Sequence, residues 1–180
     1  MPRLIAFLRA INVGGHTVTM ARLKQEFEAL GLKDVETFIA SGNVIFSSSS
    51  RDLGALEKKV EKRLHASLGY DVATFIRTAA EVAAVAGYQA FEAGRVKTAG
   101  AYCVGFLSAP LDAASKRALM AFKSEIDDFH TKGREVYWLC QTGQSGSTFT
   151  NVQMEKALKV RATFRGINTV ARLAAKHGPS

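Results

Sequence analysis

The sequence predicts a mixed α+β fold in two similar halves, each built on an antiparallel sheet. Hydrophobic residues make up 47% of the 180 residues, which is enough for the core of one domain or of two small ones. Apolar runs of strand length alternate with runs of helical spacing, and nearly the same order of elements occurs twice. In each half a short polar turn separates two of the strands, which predicts a hairpin and therefore antiparallel pairing.

The first half begins with a strand that is apolar on both faces, as is typical of a central strand. The helix that follows has apolar residues at helical spacing and ends at Gly31. A hairpin comes next, then a helix that Asp52 can cap, and then a fourth strand. The predicted strands are Leu4–Ala10, Val35–Ile39, Val44–Ser48 and Asp71–Arg77, and the predicted helices are Met20–Leu30 and Leu53–Leu68.

A connecting helix (Thr78–Ala86) and a glycine-containing loop (Gly87–Gly100) lead into the second half. Its predicted strands are Ala101–Leu107, Ile126–His130 and Glu135–Cys140, and its predicted helices are Leu111–Phe122, Phe149–Val160 and Asn168–Lys176. This half repeats strand, helix, strand, strand, helix, but it ends in a basic helix without a clear fourth strand.

The order strand, helix, strand, strand, helix, strand is that of a ferredoxin-like, or split βαβ, unit. We therefore predict two pseudo-duplicated ferredoxin-like halves and a C-terminal basic helix. The predicted division is a subdomain with a glycine loop at 1–78, a connecting helix and loop at 79–98, and a second subdomain with C-terminal helices at 99–180. The duplication is inferred from the order of elements alone.

A glycine-containing loop, Arg9–Gly15, joins the first strand to the first helix. In the ferredoxin-like strand order 4-1-3-2, the end of strand one and the turn before strand three meet at the same edge of the sheet. We therefore expect this loop to lie close to the turn Ser41–Asn43, beside a helix N-terminus whose backbone N–H groups attract anions.

The side chains at this edge offer binding chemistry: a planar guanidinium, amides, a hydroxyl, and glycines that permit close backbone approach. The candidate ligand-binding residues are Arg9, Asn12, Gly14, Gly15, Ser41, Gly42 and Asn43, with Arg165 and Asn168 as further candidates near the C-terminus. A purely structural interpretation is equally compatible with these residues. Gly42 and Asn43 suit a tight turn, and Arg9 and Asn12 can tie the loop to the hairpin.

The sequence offers no catalytic or metal-binding constellation, and we expect no cofactor. The four histidines lack metal-ligand spacing, and Ser41 lacks an identifiable His or Asp to activate it. Cys103 and Cys140 lie in apolar strands, which predicts buried free thiols and a cytoplasmic protein. The apolar runs are shorter than the ~20 residues of a membrane span, and the N-terminus lacks a signal-peptide layout.

The net charge is +8, and most of it lies near the C-terminus. Residues 151–180 carry six basic residues against Glu155 alone, a net charge of +5. A basic segment of this kind attracts nucleic acid or a phosphorylated ligand. Because the segment lacks interleaved aromatic residues, an amphipathic helix with a solvated basic face is the favoured interpretation.

Three motifs resemble those of the bacterial family known as domain of unknown function 1697. They are Leu8–Gly15 followed by Met20, Ser41–Phe46, and a closing motif formed by Glu155–Leu158 and Thr163–Val170. The chain departs from the family pattern at Ala10, where glycine is usual, and at Gly166 and Ile167, where asparagine and tryptophan are usual. The resemblance implies a cytoplasmic bacterial protein with two ferredoxin-like halves and no established activity.

The leading functional prediction is a non-catalytic protein that binds an anionic ligand, including a phosphorylated one, at the strand-one loop and the hairpin turn. One alternative is a small enzyme that uses the same loop as a phosphate or oxyanion cradle. A second is a nucleic-acid-binding module that acts through the basic C-terminal segment, and a third is a homo-oligomeric module without a ligand. The oligomeric state itself is not predicted.

Overall fold

The computed structural model of the protein describes residues 1–9, 11, 15, 17–38, 42–143 and 146–178. The strands are β1 (Arg3–Leu8), β2 (Lys33–Thr37), β3 (Asn43–Ser47), β4 (Thr74–Thr78), β5 (Ala101–Leu107), β6 (Asp127–Lys132), β7 (Glu135–Cys140) and β8 (Ala162–Gly166). The helices are α1 (Met20–Glu28), α2 (Leu53–Leu68), α3 (Ala79–Gly87), α4 (Ala93–Thr98), α5 (Ala113–Met120), α6 (Asn151–Leu158) and α7 (Ile167–His177).

The strands form two four-stranded sheets, in the orders β2-β3-β1-β4 and β6-β7-β5-β8. All neighbouring strands are antiparallel. The predicted mixed α+β class with two antiparallel sheets is therefore confirmed. Both sheets follow the order expected of a ferredoxin-like unit, with the first and third strands in the centre. That the two sheets are duplicated ferredoxin-like units stays a prediction.

The chain divides into two compact units. The first contains Met1–Ala84 together with Ala171–Ser180, and the second contains Val85–Val170. The division predicted from sequence placed the last ten residues in the second half, whereas in the structure they belong to the first unit. Within the described residues, no helix is both long enough and apolar enough to cross a bilayer.

In the first unit, alternate residues of the central strands pack under the two long helices. Leu4, Ala6 and Leu8 of β1 belong to the same buried cluster as Phe27 of α1 and Val60 of α2. The intervening residues of β1 are buried as well. Burial on both faces explains why β1 is a continuous apolar run rather than an alternating one.

In the second unit, Phe149 is the centre of an aromatic core. Its ring centroid lies 4.7 Å from that of Phe129, 4.9 Å from that of Trp138 and 5.3 Å from that of Phe122. The polar segment before Phe149 is held through Asp127, which accepts hydrogen bonds from the Trp138 indole (2.8 Å) and the Ser147 hydroxyl (2.6 Å). This core therefore stabilises a segment that has little apolar content of its own.

Two elements correct the sequence-based prediction. The second half does have a fourth strand, β8, which pairs with β5 from Cys103↔Gly166 to Leu107↔Ala162. Its five residues include only two apolar side chains at alternate positions, too few to indicate a strand without the neighbouring β5. The predicted loop Gly87–Gly100 also contains a helix, α4, whose six residues are too short for a periodic pattern.

Glutamates on the helices cap the outer strands of both sheets. Glu57 and Glu61 of α2 accept the N–H groups of Ile76 (2.7 Å) and Thr74 (3.0 Å) on β4. In the second unit, Glu155 of α6 accepts the Ala162 N–H of β8 at 2.9 Å. These carboxylates satisfy N–H groups that an edge strand leaves unpaired, and they protect the edge from pairing with another chain.

Candidate functional site

The end of β1 and the turn before β3 lie side by side. The Leu8 N–H donates a 2.8 Å hydrogen bond to the Gly42 carbonyl, and Phe7 pairs with Asn43 across the strands. The 4-1-3-2 strand order therefore places the start of the Arg9–Gly15 loop beside the turn, as the topological argument predicted.

Arg9 is anchored at this edge on its other side as well. Its backbone N–H donates to the Ala73 carbonyl at 2.9 Å, just before β4 begins. The side chain is half-buried, and its Nε atom is inaccessible to solvent. Arg9 is thus a positive charge held at the sheet edge among three strand ends, those of β1, β3 and β4.

The described part of the loop is tied down at Ile11. Its side chain is buried, and its carbonyl accepts a 2.6 Å hydrogen bond from the Tyr70 hydroxyl. Burial raises the pKa of Tyr70, so the phenol keeps the proton that it donates. Gly15 is exposed and has a φ of +85°, a conformation that favours glycine. The candidates Asn12, Gly14 and Ser41 lie outside the described residues.

Asn43 serves the turn. It is only 2% exposed, and its Nδ2 donates to the Phe38 carbonyl at 2.9 Å. The Phe38 N–H in turn donates to the Asn43 carbonyl at 3.0 Å. These two bonds close the hairpin between β2 and β3, so they match the structural interpretation of this residue. Its role as a ligand contact stays a prediction.

The N-terminus of α1, which follows the loop, is capped by its own Thr19. The Thr19 hydroxyl accepts the Arg22 N–H at 3.0 Å, and the Thr19 carbonyl accepts the Leu23 N–H at 3.1 Å. An internal cap leaves fewer N–H groups at this helix end for an external anion. The N-terminus of α1 therefore offers less to an anion than was expected from the sequence.

Arg165 and Asn168, the C-terminal candidates, belong to the second unit. Arg165 on β8 donates through Nη1 to the Thr163 hydroxyl (2.8 Å) and to the Phe164 carbonyl (2.9 Å). Burial lowers the pKa of Arg165 to about 10, which leaves the guanidinium charged at neutral pH. Asn168 is exposed at the start of α7 and lines a cavity of about 460 Å³ with Gly166 and Tyr102.

The basic residues of the C-terminal segment have different environments. The guanidinium of Arg172 and the ammonium of Lys176 each lie 5.5 Å from the centre of the Phe38 ring. Arg165 is half-buried. The other three basic residues of the segment are exposed: Lys156, Lys159 and Arg161. Cation–π contacts with Phe38 explain two of the charges through packing in the first unit.

Sequence reasoning missed two features. Arg77, next to the end of β4, is 0% exposed, and its Nη1 donates to the Ile76 carbonyl at 3.1 Å. The second unit also contains an aromatic cavity of about 380 Å³ lined by Tyr88, Phe91 and Tyr102. Two of these aromatic residues, Tyr88 and Phe91, lie in the segment Gly87–Gly100 that was predicted to be a loop.

The two cysteines are buried free thiols, as predicted. The Cys140 thiol donates to the Gly143 carbonyl at 3.1 Å, so it holds the turn after β7. Among the residues that the structure describes, no group of three or more His, Cys, Asp and Glu side chains could hold a metal ion.

Comparisons with known proteins concern the fold and the family. The conserved bacterial protein SP0830 from Streptococcus pneumoniae has a similar structure, with a TM-score of 0.72 and 22% sequence identity over 98% of each chain. At that identity the likeness shows the fold alone. No curated protein matches the chain. The family described as "Protein of unknown function (DUF1697)" matches residues 1–137, which include the glycine loop and the hairpin turn but end before the closing motif. This chain therefore belongs to the DUF1697 family.

Proposed function

We propose that this protein is a non-catalytic binding protein for a small anion, such as a phosphate group, and that Arg9 is the main contact. The observation that carries the proposal is the 2.8 Å hydrogen bond from Leu8 to Gly42, because it brings two glycine-containing segments together beside Arg9. We include a cytoplasmic location in the proposal, since free buried thiols are typical of a reducing compartment.

The anchoring of Arg9 supports this function. Its backbone is fixed to Ala73 and its Nε is buried, so little side-chain freedom remains to be lost when an anion binds. A guanidinium presents parallel N–H donors that match the oxygens of a phosphate or carboxylate group. The net charge of +8 attracts anions over longer distances.

The test is a titration of the full-length protein with inorganic phosphate and with pyrophosphate. Calorimetry and ¹⁵N chemical shifts are used to monitor binding. We expect saturable binding that perturbs the amides next to Arg9 and Gly42. Arg9→Ala should weaken binding about tenfold or more, because hydrogen bonds to a charged group contribute roughly 1.5–3 kcal/mol. Arg9→Lys should recover part of the loss, since it keeps the charge without the planar donors.

Arg51→Ala is the matched control. Arg51 is exposed and follows the other end of β3, so its removal lowers the net charge equally without touching the Arg9 edge. Equal weakening by Arg51→Ala and Arg9→Ala would indicate general charge attraction and would contradict the proposal. Turnover of a phosphorylated substrate that depends on Arg9 would instead favour the enzyme alternative.

A further inference from the structure

A second cavity lies in the second unit, between the end of α3, the short helix α4 and strand β5. It has a volume of about 380 Å³, within the range of small-molecule sites. Its lining includes Tyr88, Phe91, Val96 and Tyr102. These side chains belong to Val85–Val170, so this cavity and the Arg9 edge are in different units.

The aromatic walls are held in place by contacts of their own. Phe91 and Tyr102 meet edge to face, with ring centroids 5.7 Å apart and planes at 78°. Tyr88 is stacked on His130 at 5.6 Å, and its hydroxyl is 2.7 Å from His130 Nε2. Burial raises the pKa of Tyr102, although a hydrogen bond with the Ala90 backbone lowers it, so this phenol stays protonated at neutral pH. The aromatic walls of the cavity are therefore preformed, and an aromatic ligand can pack against them.

The charge of the cavity has one sign. Among its described lining residues, Lys97 of α4 is charged and none is acidic. Lys97 is exposed, so its ammonium group is at the solvent side, whereas Phe91 is buried. An apolar cavity with a cation at its mouth is complementary to a ligand with an apolar ring and one anionic end.

Helix α4 is additional to an order of elements that occurs twice along the chain. From β1 to α3 the order of elements is strand, helix, strand, strand, helix, strand, helix, and the same order runs from β5 to α7. Helix α4 lies between these two stretches and belongs to neither. This additional helix contributes Ala93, Val96 and Lys97 to the cavity. Segments that connect the regular elements of a fold carry binding residues more often than those elements do.

We propose that this cavity binds a small aromatic carboxylate, with the ring against Phe91, Tyr102 and Val96 and the carboxylate beside the Lys97 ammonium. The site is independent of the anion site proposed at Arg9, because no residue is shared between them.

The test uses benzoate as the probe, with ligand-observed saturation-transfer NMR and a chemical-shift titration of the full-length protein. We expect saturable binding with a dissociation constant on the order of 1 mM, as suits a ligand of this size. Lys97→Gln should weaken benzoate binding about fivefold, the effect of an exposed ion pair. Neutral benzamide should bind the unaltered protein more weakly than benzoate by a similar factor.

Two further variants complete the design. Ala93→Phe places a ring in the cavity from an exposed position and should abolish binding while the melting temperature stays close to that of the unaltered protein. Lys116→Gln is the matched control, since Lys116 is an exposed lysine of α5 outside the cavity lining, and it should bind benzoate normally.

Absence of saturable benzoate binding would overturn the proposal, as would binding that persists in Ala93→Phe. Equal affinity for benzoate and benzamide, with no effect of Lys97→Gln, would overturn the assignment of a carboxylate. Arg9→Ala should leave benzoate binding unchanged, which separates failure here from failure of the function proposed above.

Discussion

The ring of Phe164 on β8 covers the backbone of Gly105 on β5. A Cβ atom placed on Gly105 would lie 2.7 Å from Cζ of that ring, and the two residues are direct cross-strand partners. An aromatic side chain packed on a strand glycine removes the solvent exposure that weakens glycine in a strand. The contact also explains how β8, with few apolar residues, is held against β5.

Gly105→Ala should therefore destabilise the protein by about 1–3 kcal/mol, because the ring must move to admit the methyl group. Urea unfolding followed by circular dichroism measures the change. Gly166→Ala is the matched control on the same strand pair, where an added Cβ meets nothing within 4 Å. It should be neutral or slightly stabilising. Equal effects of the two substitutions would show that Phe164 does not constrain Gly105.

The hydrogen bond between Glu57 and β4 is expected to stabilise the first sheet. It is buried, and it accepts the Ile76 N–H at the outer edge of β4. Glu57→Ala should lower the free energy of unfolding by roughly 1–3 kcal/mol, because it leaves a buried N–H unsatisfied. Glu57→Gln keeps a carbonyl acceptor and should cost less. Glu28→Ala, at an exposed position of α1, is the control and should have little effect. Hydrogen exchange of the Ile76 amide should accelerate in Glu57→Ala alone.

We expect the stability of the first unit to depend on pH through His177. The residue is 7% exposed, and its Nδ1 accepts a hydrogen bond from Arg3 Nη2 at 3.3 Å, which requires the neutral ring. Burial lowers the pKa of His177 below 6.5; Glu36 raises it, whereas Arg3 and Lys176 lower it further. Because the pKa of His177 is lower in the folded protein than in the unfolded chain, the unfolded chain binds the proton more tightly. Stability should thus be constant above about pH 6.5 and fall as the pH drops from there towards the folded pKa.

Urea unfolding at several pH values between 5 and 7.5 checks this prediction. His177→Gln should remove that part of the pH dependence. His65→Gln is the control, since His65 is exposed and lies 2.8 Å from Asp71. The explanation fails if the two variants lose the same pH dependence.

Salt dependence separates an anion site from a nucleic-acid surface. If a nucleic acid were the partner, binding of short oligonucleotides would weaken steeply with salt, with a log–log slope of about −0.9 per phosphate on duplex and about −0.7 on single strands. We expect weak oligonucleotide binding, because Arg172 packs on Phe38 and Arg165 is half-buried.

The comparison uses a variant in which four basic residues are replaced by neutral ones. The replaced residues are Lys156, Lys159, Arg161 and Arg172. This variant should bind phosphate nearly as well as the unaltered protein, whereas Arg9→Ala should not. Tight, strongly salt-dependent oligonucleotide binding that survives Arg9→Ala would instead assign the function to the basic segment.

Local features of the sequence predicted where the candidate site lies. An apolar run that stops at Arg9, and a turn of four small or polar residues between two strands, indicate strand ends whichever residues pack on them. The 4-1-3-2 order then predicted that the two strand ends meet, and the Leu8–Gly42 hydrogen bond shows that they do. The roles of individual side chains could not be predicted in this way. The Asn43 side-chain amide, for example, donates to the Phe38 carbonyl within the turn.

The sequence by itself determined the α+β class, the two hairpins and the long helices, because periodicity and turn residues act over a few positions. Only the tertiary structure decided that Ala162–Gly166 is a strand, that Arg77 is buried and that α4 forms the wall of a cavity. The physical reason is that each of these depends on partners far away in the chain. Strand β8 needs β5 as its hydrogen-bonding partner, and short segments acquire their structure from packing rather than from propensity.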